Sequence, residues 1–153
     1  MGKINMGRVI LGGLLAGVII DACEFVINAV ILKQDWADAM TKLGKPADIS
    51  TNALILFNII GLVLGVAAVW LYAAIRSRYG AGAKTAIIAA LAMWVIGYAT
   101  PAIGQIAIGL VPTQTMMTAT GLALIEIIIA TVAGAAVYKE EEAGAPMAMS
   151  AGA

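Results

Sequence analysis

Four long runs of apolar residues dominate the chain, and short polar segments that carry most of the charged residues separate them. A helix that crosses a bilayer needs about 20 mostly apolar residues, because the hydrocarbon core is ~30 Å thick. None of the runs shows the period-two alternation of a transmembrane β-strand. The pattern therefore predicts an all-α fold, a four-transmembrane-helix bundle whose spans lie at about residues 9–32, 53–75, 86–111 and 115–138.

The spans leave no room for a second domain, so we expect one membrane domain over residues 1–142. The first span is too long for the apolar region of a cleaved signal peptide and should remain in the protein. Residues 143–153 are mostly small and show no periodicity, which predicts a flexible C-terminal tail.

Composition narrows the functional classes. Hydrophobic residues make up 62% of the chain and charged residues 12%, whereas soluble domains contain about 25% charged residues. The formal net charge is zero, so the chain carries no general attraction for nucleic acid. It has no histidine, and its single cysteine, Cys23, excludes an intramolecular disulfide or a CxxC motif. We expect neither a cofactor nor a metal site.

The segment between the first two spans, residues 33–50, predicts a short helix. Trp36, Met40 and Leu43 recur at i, i+4 and i+7, which places them on one helical face. Gly44 is a suitable C-cap, and a tryptophan suits the headgroup level of a bilayer. We interpret the segment as an interfacial helix lying on the outer surface, the alternative being an ordinary loop with a tryptophan anchor.

Basic residues near the ends of the spans favour one orientation. Six lie on one predicted side of the membrane and three on the other: Lys3, Arg8, Arg76, Arg78, Lys84 and Lys139 against Lys33, Lys42 and Lys45. This distribution predicts an integral protein of the bacterial inner membrane with both termini in the cytoplasm. The lipid bilayer is its expected partner, and the sequence leaves open a homo-oligomer or a larger membrane complex.

Three carboxylates lie inside the predicted spans, Asp21 and Glu24 in the first and Glu126 in the fourth. Ionisable residues at membrane depth are rare and costly, and they mark functional sites by default. Counting along the spans at ~1.5 Å per residue puts these acids near the midplane or slightly outward of it. Five supporting polar side chains lie at the middle or in the outer half: Asn28, Asn58, Tyr98, Thr100 and Gln105. Together they predict a polar recess that opens outward.

No lysine or arginine lies within the spans to neutralise these acids. Each acid must therefore be protonated, share a proton with a neighbour or hold a cation. The alternative is that the acids are neutral and join helices by hydrogen bonds, as Asn28 and Asn58 could do for one hairpin. Gly13 and Gly17 precede Asp21 at four-residue steps, and this small face predicts close approach of another helix.

The layout resembles a group of small four-helix bacterial membrane proteins of unknown function. The resemblance rests on the chain length, the four spans, the glycine-rich first helix and the segment Trp36-x3-Met40-x3-Gly44, and it implies no activity. The chain is also similar to the small multidrug resistance family in having four short helices and an acid in the first. It differs from that family in its second acid in the first helix, its acid in the fourth and its longer first loop.

These features predict a non-enzymatic membrane protein. Its carboxylates would serve proton-linked or cation-linked movement of a small solute through the polar recess. The alternative is an accessory or structural subunit that packs in a larger membrane complex through its small-residue faces. An enzyme is not predicted, because the sequence shows no nucleophile with a base, no phosphate loop and no metal cluster.

Overall fold

The computed structural model describes residues 3–140, and these residues form helices and no β-strand. The helices are α1 (Met6–Ile31), α2 (Lys33–Lys42), α3 (Thr51–Tyr79), α4 (Ala83–Ala107) and α5 (Thr113–Val137). The last turns of α1, over Phe25–Ile31, are π-helical, whereas α4 contains a π-helical stretch over Val95–Ala99 and continues through it as an α-helix. The tail predicted at residues 143–153 lies outside the described residues.

Four of these helices, α1, α3, α4 and α5, are long and apolar enough to cross a membrane. They contain 26, 29, 25 and 25 residues respectively. At ~1.5 Å per residue the shortest of them extends over roughly 37 Å, which exceeds the ~30 Å of a hydrocarbon core. The prediction of an all-helical fold with four helices long and apolar enough to span a membrane is confirmed for the described residues.

Local capping interactions set where the helices begin and end. The hydrophobic pattern alone does not predict these boundaries. α1 begins at Met6, before the predicted start at residue 9, because Asn5 Oδ1 accepts a hydrogen bond from the Arg8 N–H at 3.1 Å. α4 ends at Ala107 and not near residue 111. Gly109 beyond it has a φ of 67°, a left-handed conformation that stops a helix.

The helix predicted between the first two spans is present as α2. It runs over Lys33–Lys42, and Gly44 just beyond it has a φ of 67°, as expected of a C-cap glycine. Trp36 and Met40 on its apolar face are partly buried, whereas Leu43 is 42% exposed. The helix is therefore confirmed, and the protein itself covers only part of its apolar face.

Glycines bring α1 and α3 into backbone contact. A Cβ added at Gly17 would lie 2.6 Å from the Cα of Leu62, and one added at Gly65 would lie 2.6 Å from the Cα of Gly17. α1 meets α5 in the same way, since a Cβ on Gly12 would lie 3.3 Å from the carbonyl carbon of Gly134. The predicted close approach along the glycine face of α1 is confirmed, and α1 lies between α3 and α5.

The two ends of the bundle differ in packing. At the end where α1 begins and α5 ends, called the termini end, Tyr72 and Tyr138 pack edge to face with ring centroids 6.0 Å apart. Arg76 lies over both rings at 5.8 and 5.2 Å from their centroids and pairs with Glu140 at 3.1 Å. At the opposite end, called the loop end, residues 54–60 of α3 are all exposed. The termini end is thus packed around aromatic side chains, whereas this stretch of α3 is uncovered at the loop end.

Candidate functional site

Glu126 is the one carboxylate in the core of the described bundle, with 2% of its surface exposed. It lies on α5 between Ala123 and Ala130, whose small side chains are also buried. The Tyr98 hydroxyl donates to Glu126 Oε1 at 3.0 Å. Within residues 3–140 the second oxygen, Oε2, is buried and has no hydrogen-bond partner. A buried carboxyl group whose partner is a neutral hydroxyl has nothing to balance a negative charge.

Glu24 on α1 joins a chain of hydrogen bonds that reaches α2. The Asn28 amide donates both to Glu24 Oε2 and, at 3.0 Å, to the Glu24 carbonyl. Trp36 Nε1 of α2 donates to Asn28 Oδ1 at 2.8 Å. Directly after Glu24 the helix becomes a π-helix over Phe25–Ile31, a distortion that often marks functional positions. The short helix α2 is thereby tied to a carboxylate of α1.

Asp21 has a different neighbour, the backbone of α3. A Cβ added at Gly61 would lie 2.9 Å from Asp21 Cγ and would collide with Oδ1, so the carboxyl group rests against the glycine. The side chain is partly exposed. Asp21 and Glu24 lie three residues apart on α1, and Glu126 lies on α5, which packs against α1. They form a loose group in which each acid has its own local partner.

A cavity of about 190 Å³ lies beside this group and is partly open to the exterior. Its walls come from α1, α2, α4 and α5. Three polar residues of the lining belong to the chain of hydrogen bonds, namely Glu24, Asn28 and Trp36. The others are Tyr98, whose hydroxyl bonds to Glu126, and Gln105. Small or apolar residues complete the wall: Ile27, Gly97, Pro101, Ala102, Met116, Ala119 and Ala123, with Thr120.

The wall from α4 is shaped by a proline. Pro101 has no N–H, so regular α-helical bonding cannot continue through it. α4 accommodates it by forming a π-helix over Val95–Ala99 directly before. The Thr100 N–H and hydroxyl both bond to the Val95 carbonyl, the hydroxyl at 2.8 Å. The proline therefore widens the helix beside the cavity without ending it.

The structure brings most of the predicted site residues together but leaves two elsewhere. Asn58 is exposed on α3, where its amide donates to the Leu54 carbonyl at 2.8 Å. Thr100 is also exposed, and its hydroxyl bonds to the backbone of its own helix. Neither residue lines the cavity. Because Asn28 bonds to Glu24 and Asn58 to its own helix, the two asparagines do not fasten a hairpin to each other.

Trp36 is the site residue for which the sequence pattern indicated a different role, that of a membrane anchor. A signal was available, because a tryptophan indole N–H that leaves water needs an acceptor. Asn28, one of the predicted polar residues, supplies that acceptor. The pairing joins two helices and could not be obtained from periodicity within either of them.

The charges around the cavity are all of one sign. No lysine or arginine is among its lining residues, and Arg76 pairs with Glu140 at the termini end. Within residues 3–140 no three side chains of histidine, cysteine, aspartate or glutamate are grouped closely enough to hold a metal ion. The geometry can hold protons and accept hydrogen bonds from a guest molecule.

No protein-family model, no curated protein and no solved structure matches the chain.

Proposed function

We propose that the protein binds protons at its buried carboxyl groups and couples them to the movement of a small solute through the adjacent cavity. The observation that carries this proposal is Glu126, which is 2% exposed and has a buried oxygen without a partner in the described chain. The proposal is for a non-enzymatic protein, in which the carboxyl groups exchange protons and form no covalent intermediate.

The physical basis is the cost of an unpaired charge in a medium of low dielectric constant. An isolated carboxylate loses its hydration there, and the side chain takes up a proton when no cation is near. Tyr98 gives Glu126 one neutral hydrogen bond, and Asn28 gives Glu24 another neutral donor. Since a second ionised acid would repel the first, the group should titrate as a coupled set and hold at least one proton at neutral pH.

The asymmetry of the bundle supports a site with access from one end. The cavity lies towards the loop end, whereas Arg76 and the rings of Tyr72 and Tyr138 pack together at the termini end. A second cavity of about 400 Å³ lies further towards the loop end, between α2 and residues 109–113. α2 borders both cavities. A solute that moved from one cavity to the other would therefore pass along α2.

The proposed setting is the bacterial inner membrane, with the termini end facing the cytoplasm. The six-to-three distribution of basic residues supports this orientation. α2 would then lie at the outer interface, with its exposed Lys33, Asp35 and Asp38 in water and Trp36 turned to the cavity.

A carbodiimide experiment tests the proton site. Hydrophobic carbodiimides react with protonated carboxyl groups in apolar surroundings, so we expect the full chain to be modified at Glu126 or Asp21 near neutral pH. Modification should fall as the pH rises. Asp48, an exposed carboxylate outside the spans, is the matched control and should stay unmodified in the same sample. Absence of modification at Asp21, Glu24 and Glu126 at every pH tested would remove the basis of the proposal.

A second candidate function, an accessory subunit or homo-oligomer, is favoured by α3. Residues 54–60 are exposed on all sides, and this stretch includes the polar Asn58 at membrane depth. Asparagine side chains in spans often join neighbouring helices. Purification in mild detergent discriminates the candidates: copurification of unrelated chains, lost on Asn58→Leu, would favour the subunit.

A further inference from the structure

We propose that the cavity binds a small organic ammonium ion, the protonated form of a primary alkylamine. The proposal rests on the proposed function in using the same cavity, and it adds the charge, the hydrogen-bonding type and the size of the guest.

Three hydrogen-bond donors of the lining are already engaged by the protein. Asn28 donates to Glu24, Trp36 donates to Asn28, and Tyr98 donates to Glu126. The bond from Asn28 reaches Glu24 Oε2, so Oε1 keeps its lone pairs. The Gln105 amide and the Thr120 hydroxyl in the same lining can each accept and donate hydrogen bonds. A guest that brings its own N–H donors therefore finds acceptors on Glu24, Gln105 and Thr120.

The charge of the lining favours one class of guest molecule among those that donate hydrogen bonds. The lining contains a carboxyl group and no lysine or arginine. An anion would meet Glu24 without a compensating positive charge, and an ammonium ion would form a charge-assisted hydrogen bond with it. The Trp36 and Tyr98 rings also stand in the wall, and aromatic rings attract cations. These features all favour a cationic guest.

Size limits the organic part of the guest. The cavity holds about 190 Å³, which corresponds to roughly six water molecules at ~30 Å³ each. Pockets for drug-sized ligands are larger, at about 300–1,000 Å³. The apolar residues of the wall, such as Ile27, Met116 and Ala123, suit a short alkyl chain beside the ammonium group.

Nuclear magnetic resonance of the tryptophan indole groups tests the proposal on the full chain in lipid nanodiscs. Trp36 lines the cavity, and Trp70 on α3 is 47% exposed and serves as an internal control. Three probes of similar length are titrated at neutral pH: butylammonium, 1-butanol and butyrate. Butylammonium should shift the Trp36 signal in a saturable way and leave Trp70 unchanged. Butanol and butyrate should produce no saturable shift of Trp36.

Variants make the assignment specific. Glu24→Gln should weaken the apparent affinity for butylammonium at least about tenfold, because it removes a charge-assisted bond. Asp48→Asn removes one carboxylate outside the spans and should leave the affinity unchanged. Gln105→Lys places a cation in the cavity wall and should abolish the response, which keeps the test valid if Glu24→Gln fails to fold. Equal responses to butanol, or unchanged affinity in both cavity variants, would overturn the proposal.

Carbodiimide modification in the same samples separates this proposal from the proton site. Modification at Glu126 without any saturable response of Trp36 to butylammonium would overturn the ligand class and leave the proton site standing. A response to butylammonium without modification of Asp21, Glu24 or Glu126 would support the ligand class and contradict the proton site.

Discussion

Replacing Gly17 by alanine should force α1 and α3 apart at a point of backbone contact. The added Cβ would lie 2.6 Å from Leu62 Cα and 3.0 Å from Leu62 Cδ2. Ordinary carbon contacts are about 3.5–4.0 Å. A leucine side chain can rotate, but the Cα is part of the backbone, so relief requires the helices to separate by roughly 1 Å.

The expected cost follows from two opposing effects. Overpacking a close contact typically destabilises a protein by about 1–3 kcal/mol. Alanine in a helix is favoured over glycine by roughly 0.5–1 kcal/mol, which offsets part of this cost. Because Gly65 packs against the same backbone from the other side, the separation also loosens neighbouring contacts. We expect a net loss of about 1–2 kcal/mol in the free energy of unfolding.

Reversible unfolding in mixed detergent micelles, followed by circular dichroism, measures this difference. Gly121→Ala is the matched control, since a Cβ at Gly121 of α5 has nothing within 4 Å. The control should be as stable as the unmodified chain or slightly more stable. If Gly17→Ala were as stable as Gly121→Ala, the contact between α1 and α3 would not have the geometry described above.

Two further predictions concern the termini end and the orientation. Arg76→Ala should lower the stability by about 1–3 kcal/mol, because it removes two ring contacts and an ion pair, whereas Glu140→Gln should cost less than about 1 kcal/mol. Equal losses in thermal unfolding would mean that the rings contribute nothing. In a Cys23→Ala background, a cysteine at exposed Ala47 should react with an impermeant thiol reagent in intact cells, and one at exposed Ser77 should not. Reaction at Ser77 alone would reverse the orientation.

The sequence was sufficient to predict features that depend on one helix at a time. The four spans, α2 with its glycine cap and the small face at Gly13 and Gly17 all follow from spacing within a single segment.

The direction in which side chains point could not be obtained in this way. Thr100 and Asn58 were predicted to support the polar recess, yet both are exposed, because a position along a helix does not fix the direction of its side chain around the helix axis. The π-helices at Phe25–Ile31 and Val95–Ala99 make the side-chain directions harder to predict. Their wider turns place residues at different angles around the helix axis from those of a regular α-helix. The bond from Trp36 to Asn28 depends on how α2 folds back over α1.

The proposed function depends above all on Glu126 holding a proton at neutral pH within a coupled group of carboxyl groups. Infrared spectroscopy of the full chain in nanodiscs measures this directly, because a protonated carboxyl group and an ionised carboxylate absorb at different frequencies. We predict a protonated carboxyl band at neutral pH that is lost or shifted in Glu126→Gln and retained in Asp48→Asn. A spectrum at neutral pH with no protonated carboxyl band, or with an identical band in Glu126→Gln, would contradict this assignment.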